Sequence, residues 1–211
     1  DPRPGEIMFG LNMIVSKGGL IKAMRIPGQA EAMSKNLLQN ELAMGLIPKL
    51  GGKGMTWMKL IDGKLESNIV QFFSEDEQQQ LIDRLGAQDG DVLVMIADTD
   101  HQLVKDVLGK FRLYIAERQG LIDTNSVTPL WVTDFPMFES KNGKLHATHH
   151  PFTQPDGPIP DKSDTEALLK LKSRAYDVVI NGQEIGGGSI RINRSDMQAQ
   201  IFELLGLSPE E

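Results

Sequence analysis

The 211 residues include no cysteine, which removes disulfides, thiolate-ligated zinc and cysteine nucleophiles together. That absence suits a reducing compartment. Histidine is scarce, with four in all, and none has the partners at ligand spacing that a metal centre needs. There is no excess of positive charge: the formal net charge is −7, which argues against a chain-wide electrostatic footprint for nucleic acid. No apolar run approaches the ~18 residues of a membrane span, and the first residues do not read as a signal segment. The expectation is a soluble, cytoplasmic protein that does not engage a membrane. No GxxxxGK[ST] phosphate loop is present, and no serine nucleophile arrangement stands out. What remains is ordinary globular composition, 40% hydrophobic and 24% charged, in a chain long enough for two modest cores.

From Leu20 short elements alternate. LIKAMRI (20–26) reads as a strand ended by Pro27-Gly28, and Ser34 caps a helix over KNLLQNELAMGLIPKL with Leu38, Leu42 and Leu46 on one face. MTWMKLI (55–61) reads as a strand closed by Asp62-Gly63. Ser74 and Glu77 form a capping box before EDEQQQLIDRL, which Gly86 stops. DVLVMIA (91–97) is a buried strand, and residues 101–120 are a helix ended by Gly120. His101 reads as a surface or capping residue. This block is α+β, and nothing in it looks catalytic.

Past Asp123 the character changes. PLWVTDFPMFE (129–139) is strand-like, Asn142-Gly143 signals a hairpin, and 154–165 is a polar loop. A helix runs from Thr165 to about Arg174. Ser195 and Gln198 form a second capping box for a helix whose face is Met197, Ile201, Leu204 and Leu205. LSPEE begins like another helix, so the chain reads as a fragment.

The stretch YDVVINGQEIGGGSIRIN (176–193) carries the chemistry. Asn181-Gly182 is the strongest hairpin signal in the chain. A two-residue turn there sets Val179 opposite Glu184 and Asp177 opposite Gly186, so Asp177 and Glu184 share a face roughly 7–8 Å apart. Carboxylates so placed repel unless a cation lies between them, and Mg²⁺ is held by one or two carboxylates with phosphate and water completing its shell. Arg191 lies seven residues beyond Glu184, an odd spacing that turns it to the other face of a regular strand. A bulge within Gly186–Gly188 would bring it round, and bare backbone there would let a flat ligand lie on the sheet. The bland alternative is a hairpin with surface charges. In HHPFT (149–153) the histidine before proline is held extended, so His149 and His150 point in opposite directions.

Together WVTDFPMFE, HATHHPFTQP, AYDVVINGQEIGGGSIRIN and DMQAQIFELLG resemble the later catalytic region of bacterial-type aspartyl-tRNA synthetase, a class II enzyme. GGLIKAMRIPG, GAQDGDVLVMIAD and LGKFRLYIAERQGLID resemble, more loosely, the GAD insertion domain of that family. The resemblance implies three parts: residues 1–16 as the end of a preceding catalytic segment or a linker, 17–120 as a two-layer α/β GAD-like insertion, and 121–211 as part of an antiparallel-sheet catalytic domain.

The activity implied is ATP-dependent conversion of L-aspartate to aspartyl-adenylate, then transfer to tRNA(Asp), in a homodimeric full-length enzyme. On the matching positions, Glu184 with Asp177 would hold the ATP phosphates through Mg²⁺, and Arg191 would grip the aspartate side-chain carboxylate. His149 would sit near the aspartate, and Gly186, Gly187 and Gly188 would form the floor of the site. No covalent enzyme intermediate is implied. The sequence departs from the family in carrying Asn193 where a histidine is usual. It also lacks the anticodon-binding barrel and the three class motifs, so the chain alone is expected to be inactive. Two other readings stay open: a non-enzymatic GAD-type interaction module, and an asparagine-related synthetase relative.

Overall fold

The apolar run at 92–98 becomes the strand around which the first unit is organised. The computed structural model describes residues 13–141 and 143–207, and the chain divides into two units at Asp123/Thr124. In the first, β1 (Leu20–Ile26), β2 (Thr56–Ile61), β3 (Lys64–Glu66) and β4 (Val92–Asp98) form an antiparallel sheet ordered β1-β4-β2-β3. β4 is interior and covered on both faces, so its sequence has no polar alternation. Val92, Val94 and Ile96 enter one core with Leu38, Leu42 and Phe111. Leu93 and Met95 enter another with Met58, Leu60 and Ile69. Each such side chain, fully buried, contributes about 1.5–3 kcal/mol.

Two helices cover these faces. α1 (Glu75–Leu85) opens on the expected capping box: Ser74 Oγ accepts from Glu77 N at 3.3 Å, Ser74 N donates to Glu77 Oε2 at 2.8 Å, and Gly86 closes the helix at φ 57°. Only Leu81, Ile82 and Leu85 of α1 touch the sheet, each partly buried, so α1 adds a thin second cover to the two-layer arrangement. α2 (His101–Arg118) buries Val104, Val107, Phe111 and Ile115 at helical spacing. Its cap is Asp100, whose Oδ1 accepts from Gln102 N and Leu103 N. His101 is the first helical residue, with Nε2 2.8 Å from the Gly18 carbonyl.

The helix expected after Ser34 forms, and Ser34 Oγ accepts from Leu37 N at 3.1 Å. Its winding differs, however. Leu37–Leu46 is a π-helix, followed by one α turn at Ile47–Lys49. Pro48 has no N–H to bond the Met44 carbonyl in an α-helical register, so a regular α-helix is interrupted there in any case.

The second unit holds β5 (Pro129–Val132), β6 (Phe138–Lys141), β7 (Lys144–Ala147), β8 (Ala175–Ile180) and β9 (Gln183–Ser189). One sheet is ordered β5-β8-β9, and β6 pairs with β7 as a hairpin. Residues 129–139 are therefore two strands in two sheets, divided near Asp134, which takes φ 62°. Asn142, the expected turn residue, lies outside the described residues, as do 1–12 and 208–211.

α3 (Thr165–Lys170) ends four residues short of the expected Arg174. Past it the backbone pairs sideways: Met137 N donates to Leu171 O at 2.7 Å and Ser173 N to Phe135 O at 2.8 Å. That pairing satisfies the backbone and puts Leu171 into the core with Met137, Phe138, Leu168 and Ile201. α4 (Ser195–Leu205) carries Ile201 into the same core and ends at Gly206, φ 71°. The capping box expected from Ser195 and Gln198 does not form; Arg194 is the cap residue, and Gln198 Nε2 donates to the Pro151 carbonyl at 3.1 Å. Among the described residues no helix is long and apolar enough to cross a membrane.

Candidate functional site

The site is built on the β8–β9 hairpin. Asn181 (φ 50°) and Gly182 (φ 79°) form its turn, the left-handed pair that matches strand twist. The Asn181 side chain fastens it, accepting from Thr128 N and donating to the Ser126 carbonyl, each at 2.8 Å. Ile180 faces Gln183, and Val179 faces Glu184 as expected.

There the register shifts. Val178 faces Gly186 and Asp177 faces Gly187, so Ile185 is one extra residue on β9. The bulge lies ahead of the glycines rather than within them, and Asp177 is opposite Gly187 rather than Gly186. A β-bulge inverts the alternation of every residue beyond it. Seven residues separate Glu184 from Arg191, yet with Ile185 looped out Gly187, Ser189 and Arg191 fall on the face that holds Asp177 and Glu184. All five line one cavity of about 250 Å³.

The glycine run now has distinct reasons at each position. None of the three takes a positive φ, so close approach decides them. A Cβ on Gly187 would run into Oδ1 of Asp177 and lie 3.1 Å from the Tyr176 carbonyl oxygen. On Gly188 it would meet the Tyr176 ring at 3.0–3.3 Å. On Gly186 its nearest neighbour would be Val178 Cγ1 at 3.8 Å, an ordinary contact. Two of the glycines accommodate their cross-strand neighbours, and the third is free of that demand.

The other wall comes from Phe152–Gln154, which runs antiparallel beside Ile190–Ile192. Gln154 N donates to Ile190 O at 2.8 Å, and Ile192 N to Phe152 O at 2.9 Å. Thr153 bridges Arg191, is fully buried, and donates from Oγ1 to Ser189 Oγ at 3.2 Å. That pairing fixes where the Arg191 backbone leaves the sheet.

His149 and His150 both contribute to the cavity lining, and their rings lie against different partners. A turn starts at His150, with Thr153 N donating to His150 O at 2.9 Å. His149 packs edge-on against Phe135 at 4.6 Å, and its Nε2 is buried with no hydrogen-bond partner among the described residues. His150 is exposed and tilts against Phe152. Thr153, Ser189 and Ala175 also line the site and were given no role from the sequence, where His150 was weighed only beside His149. Thr153 and Ser189 fall inside the two distinctive stretches, but only the strand pairing shows that they meet.

Electrostatically the site is unfinished. Among the described residues Asp177, Glu184 and Arg191 have no ion-pair partner, so two carboxylates and one guanidinium face the same solvent-open space. Among the described residues no group of three or more histidine, aspartate or glutamate side chains is placed to cage a metal. Two carboxylates without a cage fit Mg²⁺ bound jointly with phosphate oxygens and water. The planar fork of Arg191 fits a carboxylate bound bidentately.

Comparison with known proteins bears on both units. Residues 11–108 match the GAD domain. The chain is 51% identical over 199 residues to an aspartate–tRNA(Asp/Asn) ligase of Syntrophus aciditrophicus, covering 94% of this chain and 28% of that protein. It is 41% identical over 206 residues to an aspartate–tRNA(Asp/Asn) ligase of a Sulfurovum species, covering 98% of this chain and 34% of that protein. A third, from Persephonella marina, is 41% identical over 207 residues, covering 93% and 33%. The chain thus spans about a third of the length of the curated relatives it matches.

Proposed function

We propose that the chain belongs with the aspartate–tRNA ligases over the third of their length that it spans, and that its second unit supplies the aspartate- and phosphate-binding half of an aspartyl-adenylate site. The observation that carries this reading is the bulge at Ile185, which places Arg191 on the face of Asp177 and Glu184.

In the proposed reaction an α-carboxylate oxygen of L-aspartate attacks the α-phosphorus of ATP, the bond to the β-phosphate bridge breaks, and pyrophosphate leaves with the electron pair. The aspartyl group then passes to the 3′ end of tRNA(Asp). The relatives' names pair the aspartate and asparagine tRNAs, and the same acceptor range is proposed for the whole protein, together with homodimeric assembly and a cytoplasmic setting. Arg191 binds and orients the aspartate side-chain carboxylate through two parallel N–H donors. His149 sits beside the bound aspartate and helps to select it. Asp177 and Glu184 would hold Mg²⁺ together with phosphate oxygens and water, and the ion would supply positive charge for the ATP phosphates. Gly187 and Gly188, which line the cavity, form the floor, and Gly186, expected to share that role, lies outside the lining. Catalysis is positioning plus charge stabilisation, with no covalent enzyme intermediate.

Aspartate-dependent ATP–pyrophosphate exchange tests the division of labour. The 211-residue chain alone should give no exchange above its Glu184→Ala variant, because two carboxylates with a single arginine repel the nucleotide. The whole protein should exchange readily and lose that activity with Glu184→Ala. Full exchange by the whole protein carrying Glu184→Ala would refute the metal-holding role.

A further inference from the structure

A second cavity lies in the first unit. It has a volume of about 590 Å³, within the range of small-molecule sites, against about 250 Å³ for the cavity at Arg191. It opens at the β2–β3 edge of the sheet beneath the start of the π-helix. Trp57, which packs into the first core, supplies its apolar wall, and Leu65 and Val70, which belong to the core on the other face of the sheet, close its edge.

The polar groups around that wall are mostly donors. Lys59 and Lys35 both line the cavity, and Glu66 is the one carboxylate in its lining among the described residues. Lys59 Nζ is held at 2.6 Å by the Ala30 carbonyl, and no carboxylate lies within ion-pair distance of either lysine among the described residues, although Glu66 is the cross-strand neighbour of Lys59. The Gln39 side-chain oxygen is taken by the Trp57 indole N–H at 3.1 Å, which leaves its amide N–H₂ as the available group. The Asn68 oxygen accepts from Ser67 Oγ at 3.3 Å, with the same result. Two ammonium groups and two amide donors beside an apolar wall want a ligand with a flat apolar body and a concentrated negative charge. Lysine meets phosphate as a point charge, whereas a bidentate carboxylate site favours an arginine fork, and this cavity has none.

We propose that this cavity is a binding site for a nucleoside monophosphate, with the base against Trp57 at the sheet edge and the phosphate between Lys35 and Lys59. The site is independent of the adenylate half-site. It gives the first unit, where the sequence shows no catalytic residue, a ligand of its own.

The chain has two tryptophans, Trp57 and Trp131, so Trp131→Phe leaves Trp57 as the only reporter. Titrating adenosine monophosphate into that variant should change Trp57 fluorescence saturably. Adding Lys59→Met, or Lys35→Met at an exposed position that the fold does not need, should weaken binding about tenfold or more. Adenosine and inorganic phosphate should each bind more weakly than the monophosphate, and Glu184→Ala should leave the titration unchanged. The proposal is overturned by an absence of any saturable response, by a response that survives both lysine substitutions, or by one that disappears with Glu184→Ala.

Discussion

Alanine placed at Gly186 and at Gly187 should act in opposite directions although the two positions are adjacent. Neither has a backbone conformation that excludes a side chain. At Gly186 the added Cβ meets only Val178 Cγ1 at 3.8 Å. There the loss of unfolded-state freedom should stabilise the second unit by about 0.4–1 kcal/mol. At Gly187 the same gain is set against overpacking, which costs about 1–3 kcal/mol. The Asp177 carboxylate is the end of a side chain and can rotate away, but the Tyr176 carbonyl at 3.1 Å is backbone and cannot. The two variants should therefore differ by about 1–3 kcal/mol, roughly 1 M in urea midpoint at a typical slope. Urea unfolding followed at Trp131, which packs edge-on to Tyr176 at 5.8 Å, reads the difference directly. Equal midpoints, or a costlier Gly186→Ala, would refute the register deduced for β8 and β9.

The two units should also be separable: Ile201→Ala, at a fully buried position in the small second core, should cost about 2–5 kcal/mol, unfolding the Trp131 signal well before the Trp57 signal, and a single shared transition would contradict it. A further prediction concerns acid. The Asp100 backbone N–H and then Lys53, whose Nζ is 2.7 Å from Oδ2 though off the hydrogen-bond direction, hold the buried Asp98 carboxyl below its ordinary value. A depressed folded value means the stabilisation is fully present above the unfolded value of about 4 and is lost as pH falls through the lower folded value. Asp98→Asn should thus lower the Trp57 midpoint near neutrality and flatten its fall below about pH 4, whereas an unchanged acid slope would rule out this linkage.

Much of the fold was legible because local signals and tertiary packing agreed. The Ser74–Glu77 box, the Asn181-Gly182 turn and the apolar run of β4 each specify one geometry, and each forms. The failures occur where a partner distant in sequence decides. Leu171–Ser173 leaves the helical pattern because residues 135–137 offer backbone pairing, and Gln198 turns to Pro151 instead of closing a cap. The position of the bulge was hidden for a similar reason. Glycines advertise a possible bulge, but Ile185 is ejected because Gly187 and Gly188 are the residues that fit opposite Asp177 and Tyr176. Thr153 escaped notice because its role depends on lying beside Arg191, 38 residues away in sequence.

Arg191 is the residue on which the proposed aspartate site depends most, and the kinetics of Arg191→Leu in the complete protein are the closest test of its role. Removing the partner of a buried carboxylate costs about 3–5 kcal/mol, or on the order of 10²–10⁴ in binding. In ATP–pyrophosphate exchange the aspartate requirement should rise by that factor while the ATP requirement stays near its original value. An equal rise for both substrates, or an aspartate requirement unmoved by the substitution, would contradict the assignment of Arg191 to the aspartate side chain.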